Sequence, residues 1–177
     1  MTEFIFPFRQ SLRDQFIAKN SALITDWAAK YRCLFDEMDV GTARSQAPVK
    51  ESGRGGYHFY EWLAAILIYE ATGLYSLVEG YQFKTNPRKL SVLAKLFTDS
   101  QQSLIQNRSN AFKAEAPDLL VYSRDYSSYF FCEVKGPGDT VQIEADRFCK
   151  AIEAACGKPV ALARLVRCDT LLAESLP

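Results

Sequence analysis

Three residues in the second half of the chain combine types and spacing that suit chemistry at a phosphate. Asp118 follows Pro117, and after fourteen intervening residues come Glu133 and Lys135, separated by one valine. Carboxylate oxygens are the ligands that Mg²⁺ and Mn²⁺ prefer in proteins. An ammonium group beside them can hold a phosphate or orient a water molecule. The pattern therefore indicates divalent-metal chemistry on a substrate that contains phosphate.

The elements that must position these residues can be predicted from the same stretch. Residues 119–122 form an apolar run typical of a buried strand, and residues 129–135 form a second run rich in aromatic side chains. A polar turn separates them, which predicts a hairpin. Side chains alternate along a strand, so Glu133 and Lys135 share one face. The hairpin brings Asp118, at the start of one strand, beside both residues at the end of the other.

Composition sets the wider limits. A chain of 177 residues with 48% apolar residues is sufficient for one domain with a real core. Five cysteines without CxxC spacing and one histidine argue against a structural zinc site and favour reduced thiols in a cytoplasmic protein. No apolar run is long enough to cross a membrane, so we expect no membrane partner. The 21 basic and 21 acidic residues cancel, so affinity for nucleic acid would have to come from a local patch.

The remaining elements follow from apolar periodicity and turn residues. Before the hairpin we expect a long helix over residues 8–38, a flexible loop over 39–56, a buried helix over 57–72 and a strand over 74–78. An insertion at about 82–112 would contain a helix over 88–107. After the hairpin we expect a helix over 140–156 and a last strand over 159–166. This order predicts an α/β fold with a small mixed sheet flanked by helices. Residues 1–56 would pack on a core formed by residues 57–177.

Basic residues in the loop and in the insertion are candidates for phosphate contacts. Arg54 lies in the predicted loop, and Arg88 and Lys89 begin the predicted helix of the insertion. The alternative for each is an ordinary solvated charge.

The central stretch also resembles a known nuclease family. Pro117-Asp118 followed by Glu133-Val134-Lys135 is similar to the PD-(D/E)xK signature, whose core is restriction-endonuclease-like. More narrowly, the sequence PDLLVY and the later YFFCEVKGPGD resemble the VRR-NUC domain. The resemblance covers residues 57–166, interrupted by the insertion, and its specific part is about 23 residues long.

The resemblance implies a role for each matching position. Asp118 and Glu133 would ligate Mg²⁺ or Mn²⁺, with help from the backbone carbonyl of Val134. Lys135 would position or deprotonate the attacking water. Glu61 matches the acidic residue of the first core helix, and Glu70 is the alternative.

One family position is occupied differently in this chain. The family usually carries a glutamine six residues after the aspartate of the GPxD block, where this chain has Ala145. Gln142, one turn earlier, could supply the amide to the substrate.

The function that these observations favour is metal-dependent hydrolysis of phosphodiester bonds in DNA. The resemblance implies a structure-specific nuclease linked to replication or DNA repair, with endonuclease and exonuclease action both open. A resolvase of branched DNA would require a homodimer with two sites, whereas a monomer would indicate flap or end processing. One alternative is a nuclease fold that has lost cleavage and binds nucleic acid or a protein partner. Another is an interaction protein that assembles through the helix predicted over residues 8–38.

Overall fold

The computed structural model describes residues 2–50, 55–78, 80–81, 85–106, 116–140 and 143–168. Within these ranges the strands are β1 (Glu3–Phe8), β2 (Tyr75–Leu77), β3 (Leu119–Tyr122), β4 (Tyr129–Lys135) and β5 (Val160–Arg167). The helices are α1 (Gln10–Phe16), α2 (Ala22–Lys30), α3 (Glu37–Gln46), α4 (Phe59–Thr72), α5 (Pro87–Leu96), α6 (Asp99–Gln106) and α7 (Ile143–Cys156). None of the described helices is long and apolar enough to cross a bilayer.

The strands form one mixed sheet in the order β1-β5-β4-β3-β2. β1 and β4 both run parallel to β5, whereas β3 is antiparallel to β4 and to β2. The carboxyl ends of β1, β4 and β5, at Phe8, Lys135 and Arg167, therefore lie at the same edge of the sheet, which we call the carboxyl edge. The amino end of β3 lies there too. The predicted mixed sheet flanked by helices is confirmed.

Helices cover both faces of this sheet. Leu119 and Val121 of β3 pack with α1 to α4 in one apolar cluster, while Leu120 and Tyr122 pack with α5 to α7 in the other. This alternation follows from the two-residue side-chain period of a strand. All four positions are buried, which explains why the sequence of β3 is continuously apolar.

The single helix predicted over residues 8–38 is wrong. Its residues instead form the end of β1, then α1, α2 and the start of α3. Asn20 has a positive φ of 59°, Ser21 caps α2, and Asp36 begins α3 with a capping box. The apolar spacing that indicated one helix comes from short helices that bury their apolar residues in one cluster. β1 was missed because it contains Pro7, which a strand tolerates at the edge of a sheet.

Two further boundaries differ from the sequence prediction. Residues 39–46 belong to α3 rather than to a loop, because the Asp36 cap compensates for a polar, glycine-containing sequence. The helix predicted over residues 88–107 is two helices, since the backbone is extended at Phe97. Residues 82–84 and 107–112 of the predicted insertion lie outside the described residues.

Candidate active site

The candidate site lies at the carboxyl edge, where β4 ends and β3 begins. Leu119 pairs with Cys132, so Asp118 comes level with Glu133 on the neighbouring strand. The Asp118 Oδ2 atom accepts a hydrogen bond of 2.7 Å from the backbone N–H of Val134. The hairpin thus fixes one carboxylate against the backbone of the strand that carries the other.

Glu133 and Lys135 form an ion pair within β4. The Lys135 Nζ atom lies 2.6 Å from Glu133 Oε1, and the two side chains are only 13% and 14% exposed. Burial disfavours the charged lysine, but the hydrogen bond and the charge of Glu133 outweigh burial and raise the pKa of Lys135. Lys135 is therefore an ammonium ion at neutral pH. That state suits orientation of water and phosphate rather than proton abstraction.

Glu61 reaches this cluster from the first turn of α4. Burial raises its pKa, the charge of Lys135 lowers it, and the negative charges of Glu133 and Asp139 raise it further. Glu70, at the other end of the helix, is exposed and hydrogen-bonded to Tyr31, and it pairs with Lys30 at 3.5 Å. Of the two acids on α4, Glu61 is the one whose pKa responds to the charges of Lys135 and Glu133.

The cluster carries more negative than positive charge. Burial raises the pKa of Asp118 well above its usual range, and the charges of Glu133 and Glu61 raise it further. The charges of Asp118, Glu133 and Glu61 thus repel one another, and a divalent cation near them would reduce that repulsion. In the described parts of the chain, no three His, Cys, Asp or Glu side chains are grouped as a metal site. The potential donors at this corner are oxygen atoms, the ligand type that Mg²⁺ and Mn²⁺ prefer.

The turn after β4 packs closely against α4. A Cβ atom on Gly136 would lie 2.4 Å from the Tyr60 ring, so only glycine fits at this position. The Gly136 N–H donates to Asp139 Oδ2 at 2.9 Å, and the Asp139 N–H donates to the Gly136 carbonyl at 3.2 Å. The Asp139 carboxylate therefore closes the turn. Lys135 leads directly into a fixed loop.

Sequence reasoning missed Tyr81 as a residue that positions the site. Its side chain is buried, and its hydroxyl donates a hydrogen bond of 2.8 Å to the carbonyl of Pro117. This contact anchors the backbone immediately before Asp118. Nothing in the sequence around Tyr81 signals the role, because the contact joins segments 36 residues apart.

The predicted substrate contacts of Arg88 and Lys89 are corrected by their environment. Lys89 is buried, and its ammonium group contacts the Asp39 carboxylate and the Val78 carbonyl. Arg88 donates to the Cys33 carbonyl at 2.8 Å and pairs with Asp36 and Asp39. Both residues join α5 to α3 rather than offering charge to a substrate, because buried carboxylates require cationic partners.

Two other predicted substrate contacts, Arg54 and Gln142, lie outside the described residues. Ala145, at the position where the family usually has glutamine, is half-buried in the first turn of α7. It offers no amide to a substrate.

Comparisons with known proteins do not assign this chain to a family. No family model matches the chain, and no curated protein matches it significantly. A solved structure of paFAN1 bound to a 2-nucleotide 5′ flap DNA with a gap is 25% identical and covers 46% of this chain, with a TM-score of 0.37. This chain spans 16% of the length of that chain. A match of this extent does not define a family.

Proposed function

We propose that this protein is a metal-dependent nuclease of the PD-(D/E)xK type, similar to VRR-NUC domains, that hydrolyses phosphodiester bonds in DNA. The observation that carries the proposal is the convergence of Asp118, Glu133 and Lys135 at the carboxyl edge. Holding like charges together in a half-buried corner costs stability. An incidental hairpin would gain nothing from that cost, whereas a site for a cation and a phosphate requires it.

Each residue has a defined task in this proposal. Asp118, Glu133 and the carbonyl of Val134 would hold Mg²⁺ or Mn²⁺, which neutralises charge that develops on the phosphate. Lys135, protonated beside Glu133, orients the attacking water and contacts a phosphate oxygen. Glu61 adds a third negative charge that favours uptake of the cation.

The substrate class comes from the resemblance of the EVKGPGD block to VRR-NUC domains. It implies structure-specific cleavage of branched or flap DNA in replication or repair. If the substrate is a four-way junction, we expect a homodimer, because resolution of a junction requires two cuts.

Cleavage of a labelled panel of single-stranded, duplex, flap and four-way-junction DNA tests the proposal. We expect wild type to cut with Mg²⁺ or Mn²⁺ and to stop with EDTA. Lys135→Ala should lose at least about 100-fold in rate, the scale of removing one group that stabilises transition-state charge. Lys158→Ala, at an exposed lysine beside the Tyr129 ring, is the matched control and should cut normally. Cutting by Lys135→Ala at the wild-type rate, or cutting in EDTA, would contradict the proposal.

A binding module without catalysis is the second candidate. Ala145 favours it, since the side chain at this position cannot donate a hydrogen bond to substrate. Folded wild-type protein that binds DNA but leaves every substrate of the panel intact with either metal would support this candidate over the nuclease.

A further inference from the structure

Three arginines lie together at the carboxyl edge and have no assigned role. Arg9 follows β1 directly, Arg13 lies in α1, and Arg167 ends β5. We call them the edge arginines. Phe8, the residue before Arg9, pairs with Arg167 in the parallel ladder of β1 and β5. The edge arginines therefore lie at the carboxyl edge of the sheet, where the candidate active site also lies.

The strand register gives their approximate distance from Lys135. Lys135 pairs with Arg164 of β5, so Arg167 lies three residues beyond the level of Lys135, or about 10 Å along the strand. Arg9 follows β1, which is two strands away from β4, a lateral separation of about 10 Å. A nucleic-acid strand bound at Lys135 would reach both positions within a few nucleotides.

Arg13 is linked to the site through the ring of Tyr60. Its guanidinium lies over the Tyr60 ring, 5.8 Å from the centroid, and a Cβ on Gly56 would meet its Nη2 atom at 2.5 Å. The same Tyr60 ring packs against Gly136, the residue after Lys135. Tyr60 thus separates Arg13 from the loop that holds Lys135.

The edge arginines differ from Arg88 and Arg164 in their partners. Arg88 and Arg164 are paired with carboxylates, Arg164 with Glu3 at 3.3 Å. Among the described residues, none of the edge arginines takes part in an ion pair, and Arg9 and Arg167 are exposed. The Nε atom of Arg13 is buried without a hydrogen-bond acceptor in this described part of the chain.

A buried donor without a partner costs stability, and native proteins retain few of them. A phosphate oxygen would supply the acceptor that the Nε atom of Arg13 lacks among the described residues.

We propose that Arg9, Arg13 and Arg167 bind the phosphate backbone of the nucleic-acid strand that enters the active site. The inference rests on the proposed function, because it takes the substrate to be a nucleic acid. It also supplies the local patch that a chain of zero net charge requires. Arginine suits this task because its planar guanidinium matches two phosphate oxygens at once.

Binding measured without cleavage tests this inference separately from catalysis. The probe is a labelled single-stranded oligonucleotide or its duplex, titrated in EDTA at several salt concentrations by fluorescence anisotropy. We expect Arg9→Gln, Arg13→Gln and Arg167→Gln each to weaken binding irrespective of sequence and to reduce the log–log salt slope by about one. In cleavage assays the same variants should raise KM with little change in kcat.

Arg124→Gln is the matched control. Arg124 is exposed in the turn between β3 and β4, at the opposite end of the hairpin from Asp118 and Lys135, so affinity and salt slope should stay at the wild-type values. Arg13→Lys, which keeps the charge and loses the planar group, should lie between wild type and Arg13→Gln. If Arg13→Gln does not fold, the double variant of Arg9 and Arg167, both exposed, carries the same test.

The outcomes separate the two proposals. Unchanged affinity and salt slope in the triple variant would overturn the role of the edge arginines, even if wild type cleaves DNA. Loss of binding in the triple variant, with no cleavage by wild type, would support that role and reject the nuclease. Wild-type protein that neither binds nor cleaves these nucleic acids would overturn both.

Discussion

The negative charge of Asp118 lowers the stability of the folded protein, although the proposed metal site requires it. Its carboxylate is held beside Glu133 and Glu61, whose charges and the burial of the site raise its pKa well above the usual range. Its hydrogen bond from the Val134 N–H can be accepted equally well by an amide oxygen. The negative charge therefore opposes folding in the absence of a cation, while the geometry does not depend on that charge.

Asp118→Asn should consequently stabilise the metal-free protein and abolish cleavage. We expect a gain of about 1 kcal/mol in the free energy of unfolding without metal, since removal of a repelled charge is a common route to stabilisation. Mg²⁺ should raise the Tm of wild type but not that of the variant. Thermal unfolding with and without Mg²⁺ measures both effects.

Asp125→Asn is the control for this change. Asp125 lies in the exposed turn of the same hairpin and hydrogen-bonds Ser127, so the variant should keep the full response to Mg²⁺. A metal-free Tm of Asp118→Asn below that of wild type would contradict the charge argument.

At the residue scale, the hairpin residues could be predicted and their neighbours could not. The alternation of β4 and the position of Asp118 follow from local spacing, so their proximity was visible in the sequence. Glu61 required the resemblance, because a carboxylate in a first helical turn is equally typical of dipole compensation. Lys89 and Arg88 read as surface charges, since their partners Asp36 and Asp39 lie about fifty residues earlier.

At the element scale, a buried ionic cluster joins α5 to α3. Lys89 contacts Asp39 and the Val78 carbonyl, while Arg88 lies 3.4 Å from Asp36 and 3.5 Å from Asp39. Asn86 caps α5 and donates to Asp36 at 2.8 Å. Both helices begin at this cluster, so it fixes how the helices of the two faces meet at the end of β2.

Lys89→Ala should destabilise the protein strongly because it leaves Asp39 buried without its closest cation. Breaking a buried pair in this way costs about 3–5 kcal/mol. Urea unfolding measures the loss. Lys95→Ala is the control on the same helix, since Lys95 is exposed over the Tyr126 ring and should cost about 1 kcal/mol or less. Equal effects of the two substitutions would show that the cluster is not an important link.

The same cluster shows why the element prediction failed between residues 8 and 46. The start of α3 depends on Asp36 and Asp39, which form a reciprocal capping box and are also the partners of α5. The spacing of apolar residues does not reveal helix ends that are set by polar capping residues. Helix α4 and strands β3 and β4 were predicted nearly to the residue, because their apolar runs end in glycine or polar turns.

At the scale of the whole molecule, we expect the ionisation of His58 to make the free energy of unfolding depend on pH. His58, the only histidine, is half-buried, and burial together with the charge of Lys89 lowers its pKa from 6.5 to about 4. Between pH 6.5 and about 4, His58 therefore binds a proton in the unfolded chain but not in the folded chain. His58 makes the protein less stable as the pH falls from about 6.5 towards 4, by about 2–3 kcal/mol in total.

His58→Asn should remove this component. Asn is suited to the position, because residue 58 has a positive φ of 72°. The measurement is the free energy of unfolding at a series of pH values from 7 to 4.5, and the difference between wild type and variant isolates the histidine. A difference that stays constant over this range would contradict the lowered pKa.

The pairing of β1 with β5 has a consequence for how the protein is made. Residues 3–8 reach their hydrogen-bonding partners only after residues 162–167 have been synthesised, so the strand that leads into α1 cannot pair until more than 150 further residues have been made. Contacts between such distant segments slow folding, because a long loop must close before they form. We expect β3 and β4, adjacent in sequence, to pair early, and the edge that carries Arg9, Arg13 and Arg167 to assemble last. A nascent chain would then hold its acidic residues in place before the surface proposed to bind DNA exists.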